Sequence, residues 1–429
     1  MRRRSTMNLR GHGWHLWRLA VVIIFLRRDR ASVVDAYGYL DRTAQGEPLG
    51  CPRPVADRRC DVGAACAGAA LGSAAQTACL RSALLLESAE PVDGQRYVVV
   101  QQAGFGMANS FRGSVSAGVL LAAFTGRRLV VDWPDIVRNF GARAPLRLAF
   151  DRSPGAGEWW RNGSAAVPWT EAGLQKEGGA AWEGVLLDRL RGPESPRYVL
   201  SSSGGTALPR HPASRACAAR IFGSACAASP RCLAGALHRV LLGEPAPQLA
   251  DRAAAALATA PHDVVVGLHL RTWVEDVEGE DHGPRPESRE AWASGFFACA
   301  ATALRAARAA HPGARFLAYL ATDDGSLRPN ATAALAAADV ALAFAPDAME
   351  ITHTRTWHKR GSAPRTDGGG DTAILDFYVN GEMAQYFVGT RASTFSDGII
   401  ERGCLGALAG FWQYGKSGDC RMSACDPRS

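Results

Sequence analysis

The chain has 429 residues, 47% of them hydrophobic and 21% charged. That is ordinary globular composition, and it excludes a mainly disordered, a collagen-like or a multi-pass membrane protein. The 48 basic and 41 acidic side chains leave a charge of +7, and residues 1–30 alone account for it, with eight arginines against Asp29. The other 399 residues are neutral, so no basic surplus is left for a nucleic-acid partner. Lysine occurs only at positions 176, 359 and 416, the mark of GC-rich coding rather than of a phosphate site.

The first element is the apolar run Leu19–Leu26, flanked by arginines. As a helix it rises only about 12 Å, against about 30 Å of hydrocarbon. It is expected to be a signal peptide or signal anchor (1–30) directing the chain to the ER or Golgi lumen, secreted or as a single-pass type II membrane protein. Residues 31–92 follow as a Cys-rich stem or a small disulfide-tied cap. Ten of the eleven cysteines fall in clusters at 51–79, 217–232 and 404–425, a pattern of local disulfides in an oxidising compartment. Cys299 lies in a helical apolar pattern and is expected to be the odd thiol. No spacing of cysteines and histidines suggests zinc.

Tyr97–Gln102 reads as a buried strand. A Gly104-Phe105-Gly106 turn leads into a helix over 108–124 closed by Gly126, and Arg128–Trp133 is the next strand. This βαβ unit opens an N-terminal Rossmann-like domain, 93–255. A Trp-rich insertion (Trp159, Trp160, Trp169, Trp182) is expected to be mostly loop, either an acceptor groove or buried core. Helices at 233–242 and 247–259 bridge to a second Rossmann-like domain, 256–412. There strands at 263–270, 315–321, 340–344 and 386–389 alternate with helices at 289–310, 331–338, 371–384 and from 396. Residues 413–429 are expected to form a Cys-containing tail. The fold class is α/β, two such domains facing a cleft, with ligands at the carboxyl ends of strands.

The chemistry-bearing residues sit at those strand ends. Gly104, Gly106 and Asn109 line a strand–helix turn whose free N–H groups suit an anion. They depart from the dinucleotide fingerprint at the third glycine, and a plain turn is the alternative. His269 and Arg271 share one face of a strand end, where a planar guanidinium fits phosphate oxygens or an ion pair. The acids after it, Glu275 and Asp276, either form a solvated loop or fold back as a general base. Asp323 ends the next strand, to bind a base or ribose or to cap a helix. Ser393, Thr394, Phe395 and Ser396 precede a helix suited to a diphosphate, or Ser396 is simply its N-cap; Asp376 on the preceding helix is placed to orient them. No P-loop, Asp-x-Asp, His-Glu-x-x-His or Gly-x-Ser-x-Gly motif occurs.

In order, Gly104–Asn109, Gly267–Arg271, Ala321–Asp324, Ile374–Phe377 and Gly389–Ser396 resemble the GDP-fucose-dependent fucosyltransferase superfamily, which includes alpha-1,6- and alpha-1,2-fucosyltransferases and protein O-fucosyltransferases. The resemblance spans 97–405. It implies a GT-B fold and inverting, metal-independent transfer from GDP-fucose, with no cofactor, to a glycan or glycoprotein acceptor. His269 and Arg271 would match the donor-binding His-x-Arg, and Asp323 the acid at the guanosine end. Ser393, Thr394 and Ser396 would match phosphate-binding hydroxyls, Phe395 the base-stacking position, and Gly104, Gly106 and Asn109 the donor-facing turn. Thr272 stands where the alpha-1,6 enzymes carry a second arginine, which argues against core N-glycan transfer. The alternatives are a non-catalytic GT-B-fold glycan or nucleotide binder, an enzyme using another nucleotide sugar, and a sulfotransferase.

Overall fold

The computed structural model describes residues 66, 71, 73–84, 96–101, 107, 111, 115–140, 166–169, 198–201, 212–272, 288–345, 369–391, 393–415 and 417–425. The first sheet holds β1 (Tyr97–Gln101), β2 (Arg128–Asp132), β3 (Ala166–Trp169) and β4 (Tyr198–Ser201). All are parallel, in the order β2-β1-β4-β3. Helix α1 (Ala74–Leu84) precedes it, and α2 (Ser116–Thr125) connects β1 to β2. Gly126 ends α2 in the left-handed conformation (φ 65°, ψ 24°), the expected C-cap. Short α3 (Pro134–Asn139) follows β2, with proline at its first turn where no N–H is needed.

Four helices join the halves: α4 (Pro212–Phe222), α5 (Ser224–Ala228), α6 (Pro230–Leu242) and α7 (Pro247–Leu257). The second sheet contains β5 (Val264–Leu270), β6 (Phe316–Thr322), β7 (Ala341–Ala343), β8 (Tyr386–Thr390), β9 (Gly410–Tyr414) and β10 (Cys420–Ala424), in the order β10-β9-β8-β5-β6-β7. Only β10 is antiparallel. Between strands run α8 (Arg289–Ala310), α9 (Arg328–Ala336), α10 (Gly369–Tyr378) with a π turn at Val379–Met383, and α11 (Thr394–Gly403).

Both faces of the second sheet are buried, which is why β5 reads Val-Val-Val-Gly-Leu-His-Leu with no polar alternation. Val264, Val266, Leu268 and Leu270 pack with Trp292, Phe296 and Ala300 of α8. The alternate residues face the other way: Val265, Leu317, Tyr319 and Phe387 pack with Ile374 and Phe377 of α10 and Ile399 of α11. That second cluster continues without a break through α6 and α2 to Val98 and Leu129 of the first sheet. Among the described residues, one core cluster thus runs through both sheets, and a second lies on the far face of the second sheet alone.

Three expectations are corrected. Residues within 31–92 are not all stem: Leu80 of α1 is core, and the Arg81 guanidinium donates to the carbonyls of Val240 (2.9 Å) and Leu241 at the end of α6. It fills the space a Cβ at Gly243 would take, and Gly243 also has positive φ (60°). Of residues 413–429, those described belong to the sheet, where β9 and β10 extend it to its edge. Cys299 is bonded to Cys420 across 121 residues; the other pairs, Cys66–Cys79, Cys226–Cys232 and Cys404–Cys425, are local as expected. No helix among the described residues is long and apolar enough to cross a membrane; the run 19–26 lies outside them.

Candidate functional site

Parallel pairing brings the ends of β5, β6 and β8 together. His269 lies level with Ala321 of β6 and Gly389 of β8. Past the last pair, the Arg271 N–H donates to Thr390 Oγ1 (2.9 Å), and the same hydroxyl donates to the His269 carbonyl (3.1 Å). Thr390 is thus a fully buried staple between two strands. On the opposite face, Trp292 Nε1 donates to the Arg271 carbonyl (3.0 Å). The backbone of Arg271 is fixed on both sides before its side chain is considered.

The Arg271 guanidinium meets Asp323 at 2.9 Å. The other oxygen of Asp323 accepts from the backbone N–H and the hydroxyl of Thr272, both at 2.9 Å. Thr272 therefore contributes by orienting the carboxylate. Asp324 does the capping: it accepts from Ser326 N–H (3.0 Å) and pairs with Arg289. Burial works to raise the Asp324 carboxyl, but the bonds from Ser326 and Arg289 outweigh it and hold it below the usual range.

His269 points to the face opposite Leu270, as strand alternation requires. Its Nδ1 lies 2.7 Å from Ser396 Oγ, and its ring packs on Phe395 with centroids 4.7 Å apart. Burial, and then the charge of Arg271, push its pKa down to about 3, so the ring is neutral at physiological pH. It positions Ser396 rather than supplying charge. Helix α11 begins at Thr394, two residues before the expected start, with Ser393 at the N-cap position and its hydroxyl not used in a cap bond. Ser396 is turned inward instead of capping. Gly389 makes this packing possible, because a Cβ there would come within 2.9 Å of Ser396 and 2.6 Å of Phe387. Phe395 is partly buried, with its ring also near Phe377 at 5.8 Å.

Asp376 does not join this group. Its buried carboxylate accepts from Tyr319 OH at 2.7 Å, and among the described residues it makes no bond to Ser393, Thr394 or Ser396. Tyr319 is level with Gly267, two residues below His269 on the neighbouring strand. Burial raises the Asp376 carboxyl to about 7, against the opposing pull of Tyr319, Arg328 and Arg252. Gly104, Gly106, Asn109, Glu275 and Asp276 lie outside the described residues.

Two participants were missed in the sequence. Thr390 lies within the Gly389–Ser396 motif and Trp292 within α8, and no single-residue signal marks either. Only the strand register places Thr390 level with Leu270.

No family model and no curated protein matches the chain. Among solved structures it is similar to an arginine-to-lysine mutant of Arabidopsis thaliana FUT1 in complex with GDP: 14% identity, TM-score 0.47, covering 83% of this chain and 77% of that one. It is similar to the fucosyltransferase NodZ from Bradyrhizobium, with 14% identity and TM-score 0.40 over 77% of this chain and 99% of that one. It is also similar to POFUT1 in complex with GDP-fucose, with 14% identity and TM-score 0.41 over 74% and 97% of the two chains.

The arrangement described is suited to an oxyanion. A planar guanidinium anchored through both its backbone groups stands at the end of β5. The first N–H groups of α11 and the Ser393 and Thr394 hydroxyls stand at the end of β8.

Proposed function

We propose that the chain is a GT-B-like fucosyltransferase that moves fucose from GDP-fucose to a hydroxyl of a glycan or protein, with inversion and without a metal. The observation that carries this reading is that Arg271, paired with Asp323, and the start of α11 stand at the neighbouring ends of β5 and β8, tied by the bonds of Thr390 to Arg271 and His269 and by that of His269 to Ser396. Each motif is common alone; the superfamily resemblance rests on their order, and the register of β5, β6 and β8 supports that reading.

The chemistry follows from those groups. The bond between the fucosyl C1 and the β-phosphate oxygen breaks, and negative charge builds on the departing diphosphate. Arg271, the α11 N-terminus and the Ser393 and Thr394 hydroxyls stabilise that charge without needing to reorganise. The acceptor oxygen bonds to C1 from the opposite side, and its proton passes to a carboxylate, for which Glu275 or Asp276 are the nearest acids in sequence. The superfamily resemblance assigns Gly104, Gly106 and Asn109 to the donor as well. Four disulfides among the described residues support an oxidising compartment, and the secretory pathway is the proposed location.

The test is a thermal-shift titration of the full-length protein with GDP, GDP-fucose, GDP-mannose, UDP-glucose and 3′-phosphoadenosine 5′-phosphate, with and without EDTA. Stabilisation by GDP and GDP-fucose that persists in EDTA and disappears in Arg271→Ala is expected. A folded protein that ignores guanine nucleotides would sink the proposal.

A further inference from the structure

A second arginine stands at the same edge of the sheet. Arg391 is the first residue after β8, where the backbone leaves for α11. Its N–H donates to the Tyr414 carbonyl at 2.8 Å, which fixes it against the end of β9. Its half-exposed guanidinium lies 3.5 Å from Asp419, in the turn between β9 and β10. Arg421 reaches the same carboxylate.

The turn is built to hold that carboxylate. Gly415 N–H donates to the Asp419 carbonyl (2.9 Å), and the Ser417 hydroxyl donates to its side chain. A Cβ at Gly415 would come within 2.4 Å of Asp419 Oδ1, and Gly418 has positive φ (76°). The next residue, Cys420, is tied to Cys299 in α8, and Cys425 to Cys404. The bond from Ser417, with help from Arg421, keeps the Asp419 carboxyl below the usual range, so it stays ionised.

The two arginine groups differ in charge balance. Arg271 is matched by Asp323, so that pair is neutral overall. At Asp419 two guanidiniums share one carboxylate, which leaves one positive charge over among the described residues. A nucleoside diphosphate carries at least two negative charges, more than the first pair offers. Arg391 precedes Ser393 by two residues, so it leaves β8 at the strand end where α11 begins, and its half-exposed guanidinium is open to an anion there.

We propose that Arg391, held with Arg421 by Asp419, is a second oxyanion-binding position beside the N-terminus of α11. The oxyanion is a phosphate of the nucleotide or the carboxylate of an acidic acceptor sugar. The nucleotide case rests on the transferase reading above.

Isothermal titration calorimetry on the full-length protein separates the sources, with GDP, guanosine and a hyaluronan tetrasaccharide as probes. If the oxyanion is a donor phosphate, Arg391→Gln weakens GDP by about tenfold, the scale of one charge-assisted hydrogen bond, and leaves guanosine unchanged. If it is an acceptor carboxylate, GDP affinity holds and the acidic tetrasaccharide loses its binding. Arg391→Lys restores part of the lost affinity in either case and shows that charge, not folding, was removed. A folded Arg391→Gln/Arg421→Gln double variant that binds GDP and the tetrasaccharide as the wild type does overturns the proposal. A wild type that binds no GDP sinks the transferase reading itself, and the tetrasaccharide arm then decides this site alone.

Discussion

Two polar groups lie on the same face of the second sheet, and they have opposite characters. At the strand ends, His269, Ser396, Arg271, Asp323 and Thr390 form a linked set that includes an ion pair. Lower down, Asp376 and Tyr319 are a closed pair joined by one short hydrogen bond. Tyr319 precedes Asp323 by four residues on one chain path, about 13 Å of strand. That distance separates the partly exposed Arg271–Asp323 pair from a pair that is buried throughout. A carboxylate on a helix next to a motif is therefore not a ligand group until its height along the sheet is known.

The pH responses differ in sign. The Asp376 carboxyl is raised in the folded state, to about 7. Its contribution to stability is complete below the ordinary aspartate pKa and is lost as pH climbs toward 7. The His269 ring is lowered, to about 3. Its contribution is complete above the ordinary histidine pKa and is lost as pH falls from about 6.5 toward 3.

Substitutions should separate the two groups. The largest effect is expected from Gly389→Ala, whose methyl group drives Ser396 and Phe387 apart. It should cost about 1–3 kcal/mol in chemical denaturation and abolish GDP binding. Ser396→Ala leaves the His269 Nδ1 without its partner, at about 1–3 kcal/mol, and moves the acid limb of the melting-temperature profile toward lower stability. Asp376→Asn keeps an acceptor for Tyr319 but no proton to lose; the melting temperature should stop falling between about pH 4 and 7, with GDP affinity unchanged. An altered GDP affinity would place Asp376 with the strand-end group after all. Trp292→Phe keeps a ring beside Tyr414 but deletes the bond to the Arg271 carbonyl together with part of a buried indole. It should be the mildest, about 1 kcal/mol, with a few-fold loss of GDP affinity seen by calorimetry.

The second sheet was legible because its signals are local. The α8 boundaries agree with the observed Arg289–Ala310, and β5 agrees to one residue, since each carries a full period of apolar residues and, for α8, a Ser288 cap. The strands β3 and β4 were lost in the Trp-, Gly- and Pro-rich stretch, four residues each and without alternation. Pro168 in β3 argued against a strand, yet β3 is an edge strand, where a missing N–H is tolerated. β9 and β10 were hidden because Gly410–Tyr414 and Cys420–Ala424 are short runs among cysteines. The Cys299 pairing had no local trace, its partner being 121 residues away. At the site, His269, Arg271 and Asp323 showed as strand-end residues. Thr390 did not, because its role exists only between two strands.

The contact between Arg81 and the end of α6 has a consequence for the order in which the protein can be made. The guanidinium and the Val240 carbonyl are 159 residues apart in the chain. At a synthesis rate of about 5–20 residues per second, roughly 8–30 s pass between them. Throughout that interval α1 has been made while the helix end it closes has not. The polypeptide leaving the ribosome thus carries its finishing piece first, and the shared core cannot be sealed until synthesis has passed the middle of the chain.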